Sequence, residues 1–387
     1  MPQCEQDELS MRRALALAAA TTALASPNPQ VGCVLVRNGE IIGEGAHLYD
    51  QLDHAEIAAL KNAAANGHSV AGATAYVTLE PCSHHGRTGP CADALIAAKI
   101  ARAVIATQDP NPKVSGQGIA KLRAAGIEVT LGICESQARD LIEAFAHFIR
   151  RRTPFVTLKA ALSVDGKLAP PPAQRTADQP FWLTGPAARA EVQRLRHAAD
   201  AILTGIGTVL ADDPALTDRS GILGPAGQPR RRPLLRVIVD ANLRTPPTSQ
   251  LVRTAQNDLL LCCASTAPIE SISAFAAAGI EIAVLPSSDS EHPGKLSLPA
   301  ILAELARRNI LSLLLECGSA LNGAFLTQRL VDKVTLFYAE TELGDQALPF
   351  AEGIASPFLL EQSLTRIERK TFGPDANITG YLRDPWT

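Results

Sequence analysis

Apolar and polar residues along the first third of the chain switch repeatedly between helical and strand periods. Residues 8–23 carry apolar positions at helical spacing and predict a helix. Residues 31–36 form a β-branched run that stops at Asn38-Gly39, a hairpin turn pair, and 41–45 is predicted to return beside it. A helix is predicted over 56–65, with Asn66-Gly67 as its stop. A strand at 73–79, a helix at 91–98, a strand at 103–106, a helix at 118–125 and a strand at 127–131 follow. Alternation at this spacing predicts a layered α/β domain of about 145 residues.

A second pattern begins past the basic run Arg150-Arg151-Arg152 and Pro154, where a boundary is expected. Strand patterns at 155–162, 201–204, 235–240, 258–264, 312–316 and 334–338 mix with helical ones at 189–197 and 301–308. This mixture predicts a mostly parallel sheet. Residues 169–180 are proline-rich and are expected to form a loop. No strong internal repeat stands out. The expected division is therefore 1–149 and 150–387, as a length of 387 residues suggests.

Composition narrows the function classes. Hydrophobic residues at 46% supply material for two cores. A formal charge of −3 gives no basic face for a nucleic-acid backbone, although a few local cations suffice for a small anion. Aromatic residues at 4% are too sparse to favour base stacking. No nucleic-acid partner is therefore expected. Residues 14–25 are apolar but alanine-rich, with acidic residues upstream, so no secretory leader is expected. No apolar run approaches the ~20 residues of a membrane span, so no membrane partner is expected either. The eight cysteines are irregularly spaced, which fits thiols or metal ligands in a cytoplasmic protein. A homo-oligomeric state stays open.

Candidate chemistry converges in the first domain. His54-Ala55-Glu56 is followed by Pro81-Cys82 and, nine positions later, Cys91. One imidazole and two thiolates are a three-ligand set for zinc with a fourth position left for water. Zinc brings the pKa of such a water from ~15.7 to near 7. A carboxylate beside the metal must then carry protons, and Glu56 stands two residues after His54 at a predicted helix start. The pattern is that of the zinc deaminases, except that eight residues rather than two separate the cysteines. The intervening segment 83–90 must loop out, and it carries His84, His85 and Arg87, which could reach a phosphate or a base. His84 or His85 as a fourth ligand is the competing arrangement, and it would make the zinc structural.

These residues bring a family into view. Ser26-Pro27-Asn28-Pro29-Gln30-Val31-Gly32, His54-Ala55-Glu56 and Thr78-Leu79-Glu80-Pro81-Cys82-Ser83-His84-His85-Gly86-Arg87-Thr88-Gly89-Pro90-Cys91 resemble the bifunctional deaminase–reductase of bacterial riboflavin biosynthesis. Gln108-Asp109-Pro110-Asn111-Pro112 continues the resemblance. In the second half, Lys159-Ala160-Ala161-Leu162-Ser163-Val164-Asp165-Gly166-Lys167, the stretch 203–217 and Glu316-Cys317-Gly318-Ser319-Ala320-Leu321-Asn322 extend it.

The resemblance implies a cytidine-deaminase-like α/β/α domain followed by a dihydrofolate-reductase-like α/β domain. It implies a zinc hydroxide that removes ammonia from 2,5-diamino-6-(5-phosphoribosylamino)pyrimidin-4(3H)-one. NADPH then reduces the ribosyl group of the product to ribityl. One zinc per chain would sit on His54, Cys82 and Cys91, with Glu56 catalytic and Asn28, His84 and His85 near the phosphoribosylated pyrimidine. Ala161, Trp182, Thr208, Asp212, Gly318, Ser319, Ala320, Leu321, Asn322, Gly323 and Ala324 would line the dinucleotide. Lys159, Arg196, Leu216, Arg219 and Glu316 would face the substrate; guanidinium groups suit phosphate. The chain lacks Gly-x-Gly-x-x-Gly, so an ordinary Rossmann fingerprint is absent.

One departure is expected to matter. The segment 169–180 is longer than the family's, and Pro180 stands where a serine usually precedes the tryptophan. A working deaminase with an impaired or repurposed reductase is therefore the alternative. A zinc-stabilised nucleic-acid-binding protein is the reading from another class.

Overall fold

The computed structural model describes residues 3–84, 89–171, 174, 181–288, 295–354 and 356–387. The chain divides into two compact units. The first comprises Met1–Arg151, Leu223–Arg231 and Trp386; the second comprises Arg152–Ile222, Arg232–Pro385 and Thr387.

In the first unit, α1 (Gln3–Ala19) precedes β1 (Gly32–Arg37) and β2 (Glu40–Ala46). Then come α2 (Ala55–Ala65), β3 (Thr74–Val77), α3 (Cys91–Ala97), β4 (Arg102–Ile105), α4 (Gln117–Ala124), β5 (Glu128–Leu131), α5 (Glu135–Leu141) and α6 (Glu143–Arg151). The sheet order is β2-β1-β3-β4-β5. β1 runs antiparallel to both of its neighbours, whereas β3, β4 and β5 are parallel. Asn38 and Gly39 take φ of 54° and 81°, the left-handed pair that a tight hairpin needs.

Small residues decide where α2 lies. Its Ala55, Ala59 and Ala63 are buried, and they face Gly43 and Gly45 of β2. A Cβ on Gly45 would sit 2.4 Å from the Ala55 carbonyl oxygen, so only glycine admits this approach. The helix start, and His54 just before it, is thereby pinned against the sheet. Asp7 of α1 ties that helix to the strands. Its buried carboxylate accepts from Arg102 Nη1 and Nη2 at 2.7 and 2.8 Å and from the Tyr76 hydroxyl at 2.8 Å.

The second unit holds β6 (Phe155–Leu162), β7 (Lys167–Ala169), α7 (Pro186–Ala198), β8 (Ala201–Gly205), α8 (Ile206–Asp212), β9 (Leu235–Val239) and α9 (Gln250–Arg253). It continues with β10 (Leu259–Ala264), α10 (Ile269–Ala277), β11 (Glu281–Leu285), α11 (Leu298–Arg307), β12 (Ser312–Leu315), α12 (Ser319–Thr327) and β13 (Lys333–Tyr338). β14 (Leu348–Pro349), α13 (Pro357–Glu361), β15 (Thr365–Phe372) and β16 (Asp375–Tyr381) close it. Among the described residues, nine strands form one sheet in the order β11-β10-β9-β8-β12-β6-β13-β16-β15. It is parallel as far as β13 and antiparallel across β16 and β15. Val156, Leu158, Ala160 and Leu162 of β6 enter the core. The alternating period turns Lys159 and Ala161 to the other face.

Several elements depart from the sequence reading. The first helix starts and ends earlier than 8–23. Thr21 and Thr22 hydroxyls donate back to the Ala18 and Ala19 carbonyls, and Ala23 takes φ 62°, which ends helical propagation. The hairpin of β15 and β16 lay hidden because all of β15 but its last residue is exposed and polar-rich. Ala169 ends a strand paired with Leu348 rather than opening a loop, and most of 172–180 lies outside the described residues. Among the described residues, no helix is long and apolar enough to cross a membrane.

Candidate functional site

In the first unit, three donor atoms meet beyond the carboxyl end of β3. His54 precedes α2 in an extended conformation (φ −73°, ψ 161°), and its side chain does not cap the helix. The imidazole is thus left for the two thiols. His54 Nδ1 lies 3.6 Å from Cys82 Sγ and 3.2 Å from Cys91 Sγ, and the three donor atoms all fall within 4.8 Å of one another. Tetrahedral zinc with ordinary Zn–S and Zn–N bonds would separate such a pair by about 3.5 Å, so the donor set fits that ion. Among the described residues no fourth protein ligand joins the cluster, and His85 lies outside them.

The wide gap between the cysteines closes through α3. Cys91, the first residue of that helix, donates its N–H to Cys82 Sγ at 3.2 Å, and Ala92 N–H reaches the Cys82 carbonyl. The hydrogen bond with the Cys91 thiol draws Cys82 down to about 4, and His54 and the Cys91 N–H add to this. The Cys91 thiol is raised by that same pairing and by burial. His54 is raised through its hydrogen bond with Cys82. A lowered thiol beside an imidazole suits a metal, which binds the thiolate form of cysteine.

Glu56 lies in the first turn of α2 and is 3% exposed. Burial pushes its carboxyl up to about 7, with the Cys82 charge adding to the rise. A carboxyl poised near neutrality can both take and return a proton. Asn28 reaches the site through a residue that the sequence reading passed over. Asn28 Nδ2 lies 2.9 Å from His47 Nε2, and His47 Nδ1 lies 2.8 Å from the Asp53 carbonyl. One neutral tautomer satisfies both contacts, with Nδ1–H donating to Asp53 and Nε2 accepting from Asn28. The His47 ring stands edge-on to His54 at 5.5 Å. His84 is exposed, with its charge felt by the Asp109 carboxyl, which burial raises.

Glu80 is a second residue whose role was not anticipated. Its Oε2 accepts from the N–H groups of Asp109 and Gly116, and its Oε1 from those of Gly118 and Ile119. This buried carboxylate caps α4 and fixes the turn that delivers Cys82 two residues later. Gly118 permits the approach, since a Cβ there would lie 1.9 Å from the Pro81 carbonyl oxygen.

The second unit gathers its polar residues at the carboxyl ends of parallel strands, where open α/β sheets place their ligands. The register Leu315↔Leu158 sets Glu316 beside Lys159. Lys159 Nζ lies 3.7 Å from Glu316 Oε2. Arg196 Nε and Nη2 grip the same carboxylate at 2.6 and 3.0 Å, and Nη1 reaches the Thr217 carbonyl at 3.1 Å. The Arg196 fork thus holds Glu316, whereas Arg219 is exposed. Burial lowers Lys159 despite the Glu316 charge. Burial opposes ionisation of Glu316, but Lys159 and Arg196 hold its carboxyl below the ordinary range. Leu216 is buried next to this group in sequence and takes φ 51°.

Two helix starts lie together here. α8 follows β8 directly, and α12 follows the Gly318 turn after β12. A Cβ on Gly318 would stand 3.6 Å from Thr208 Oγ1, and one on Gly205 would stand 2.8 Å from Leu321 Cδ1. Ser319 is buried, whereas Ala320 is exposed on the first turn of α12. Asn322 is fully buried and donates to the Phe350 carbonyl. Gly323 abuts the Glu352 backbone, and Ala324 packs against the core. Ala161 is half-buried on β6, and Asp212 is exposed at the end of α8. Trp182 is 61% exposed under the Arg189 guanidinium.

Comparison with known proteins covers both units. Residues 4–107 match the model of the cytidine and deoxycytidylate deaminase zinc-binding region, and 154–376 match the RibD C-terminal domain. The riboflavin biosynthesis protein RibD of Escherichia coli is 41% identical over 347 residues, covering 88% of this chain and 90% of the relative. RibD of Bacillus amyloliquefaciens is 36% identical over 385 residues, covering 98% and 97%. A Thermotoga maritima structure is described as a diaminohydroxyphosphoribosylaminopyrimidine deaminase/5-amino-6-(5-phosphoribosylamino)uracil reductase. It superposes with a TM-score of 0.81 at 33% identity, covering 98% of this chain and 99% of that one.

Proposed function

The chain belongs to the RibD family of riboflavin biosynthesis proteins, and from that premise we propose how its residues divide the work of a bifunctional deaminase and reductase. The cytidine-deaminase-like half, 1–149, deaminates 2,5-diamino-6-(5-phosphoribosylamino)pyrimidin-4(3H)-one. The dihydrofolate-reductase-like half, 150–387, reduces the ribosyl group of the deaminated product with NADPH. The observation that carries this reading is the convergence of His54, Cys82 and Cys91 beside a buried Glu56.

His54, Cys82 and Cys91 hold one zinc, which when bound supplies a Lewis acid that makes water nucleophilic near neutral pH. Water oxygen adds to the ring carbon bearing the amine. Glu56 takes one water proton and passes it to the ring nitrogen, then takes the second from the added hydroxyl and gives it to the amine. The C–N bond then breaks, ammonia leaves and a carbonyl remains. Asn28, His84 and His85 orient the pyrimidine.

In the second half, bound NADPH would supply the hydride that C1′ of the sugar receives. The starts of α8 and α12 offer N–H groups to its phosphates, with Thr208 and Gly318 to Leu321 along that edge. Ala161, Trp182, Asp212, Asn322, Gly323 and Ala324 complete the dinucleotide side, the last three by holding α12 in place. Arg219 receives the ribose phosphate, Leu216 lies on the substrate side, and Arg196 aligns Glu316. Opening the sugar ring puts a proton on O4′, and Lys159, whose burial eases deprotonation, donates it from Nζ. Thiols at all eight cysteines fit a cytoplasmic place of action.

Glu56→Gln tests the assignment. Ammonia release is expected to fall by about 10²- to 10⁴-fold while zinc stays at one per chain. Undiminished ammonia release would remove Glu56 from the proton path.

A further inference from the structure

Leu223–Arg231 lies well beyond the first 149 residues, yet it belongs to the first compact unit. The segment folds on itself, with Gly224 N–H donating to the Gln228 carbonyl at 2.8 Å and Gly227 N–H to the Gly224 carbonyl at 2.9 Å. It packs closely on Leu24, whose Cδ1 would stand 2.4 Å from a Cβ on Gly224.

Arg231 is its anchor. The Arg231 side chain is 16% exposed. Its Nε and Nη2 both donate to the Ser26 carbonyl, at 3.2 and 2.7 Å, and its own N–H donates to the Ala23 carbonyl at 3.0 Å. The guanidinium lies 4.1 Å above the Tyr49 ring, and Nη1 is 3.6 Å from Asp50 Oδ1. One side chain thus joins two stretches, one two residues before Asn28 and the other two residues after His47. Those stretches also meet directly, through Tyr49 N–H and the Leu24 carbonyl. Asn28 and His47 are themselves bonded, and His47 continues to the carbonyl of Asp53, next to His54.

We infer that Arg231 is a positioning residue for deamination: it clamps the Asn28 loop to the His47–Asp50 stretch and so sets how the pyrimidine lies over the metal site. A strap from the second half of the sequence thereby serves the chemistry of the first. The inference rests on the deaminase reading of that site. A guanidinium suits the place because it donates twice to one carbonyl while its face covers an aromatic ring.

The test uses the full chain loaded with zinc. Arg231→Ala is expected to raise the deaminase KM about tenfold, the loss of one charged hydrogen bond to the loop. Its kcat should change less than KM, zinc should stay at one per chain, and NADPH oxidation with pre-deaminated product should match the parent. Arg231→Lys, which keeps the charge and one donor, should recover part of the KM. An unchanged KM in Arg231→Ala overturns the inference. So does loss of zinc and activity together without recovery in Arg231→Lys, which would make Arg231 merely structural. Failure of the underlying reading shows separately, as ammonia release that persists in Glu56→Gln.

Discussion

The His54–Cys82–Cys91 cluster of the first unit and the Lys159–Arg196–Glu316 cluster of the second are built on different principles. The first gathers side chains of unusual chemistry: an imidazole, two thiols and a buried carboxyl, all from 38 consecutive residues, positions 54 to 91. The second uses common residues and backbone, drawn from positions as far apart as Lys159 and Glu316. A site made of rare side chains fails as a unit when one is removed. An ion cluster set among ordinary residues should degrade by degrees.

Removing zinc should expose this contrast most sharply. A chelator strong enough to strip the ion is expected to lower deamination by at least about 10³-fold, while reduction of the deaminated product proceeds at its normal rate. A parallel fall in both activities would mean that the two units do not work separately. Glu316→Gln should produce the converse, smaller effect. Two buried cations then lose their shared anion, and the reductase kcat/KM should fall about a hundredfold, or ~2.7 kcal/mol, with ammonia release intact.

The smallest effect concerns stability alone. Burial raises the Asp7 carboxyl, but hydrogen bonds from Arg102, Gln3 and Tyr76 bring it below its ordinary 3.8. A carboxylate lowered in the native state stabilises fully above its unfolded pKa and loses that contribution as pH falls through the native value. Asp7→Asn should therefore cost the first unit about 3 kcal/mol near neutrality, and the gap from the parent should narrow below pH 4. Urea unfolding followed at both pH values measures it. A gap that widened in acid would contradict the ion-pair account.

What could be read in advance follows the same division. The zinc ligands and Glu56 were visible because their spacing is short and their residue types are scarce. The turn at Asn38-Gly39 was visible because its backbone needs those residues. Glu80 carries no spacing signal of its own, since its partners are backbone N–H groups 29 to 39 positions away. His47 carries no spacing signal; its role arises only when Asn28 and Asp53 fold against it. In the second unit the glycine turn at Gly318 is only a weak signal by itself and the rest rests on resemblance, because Gly318 and Thr208 become neighbours only across β8 and β12. Resemblance places Arg196 on the substrate side, and folding sets its fork on Glu316.

A chain that carries both steps should run them in order. The most direct measurement is simultaneous recording of ammonia release and NADPH oxidation from the diaminopyrimidine phosphoribosyl substrate, with zinc at one per chain. One ammonia per NADPH oxidised is expected, with ammonia appearing first. NADPH oxidation before or without ammonia, or ammonia with no NADPH oxidised, would contradict it.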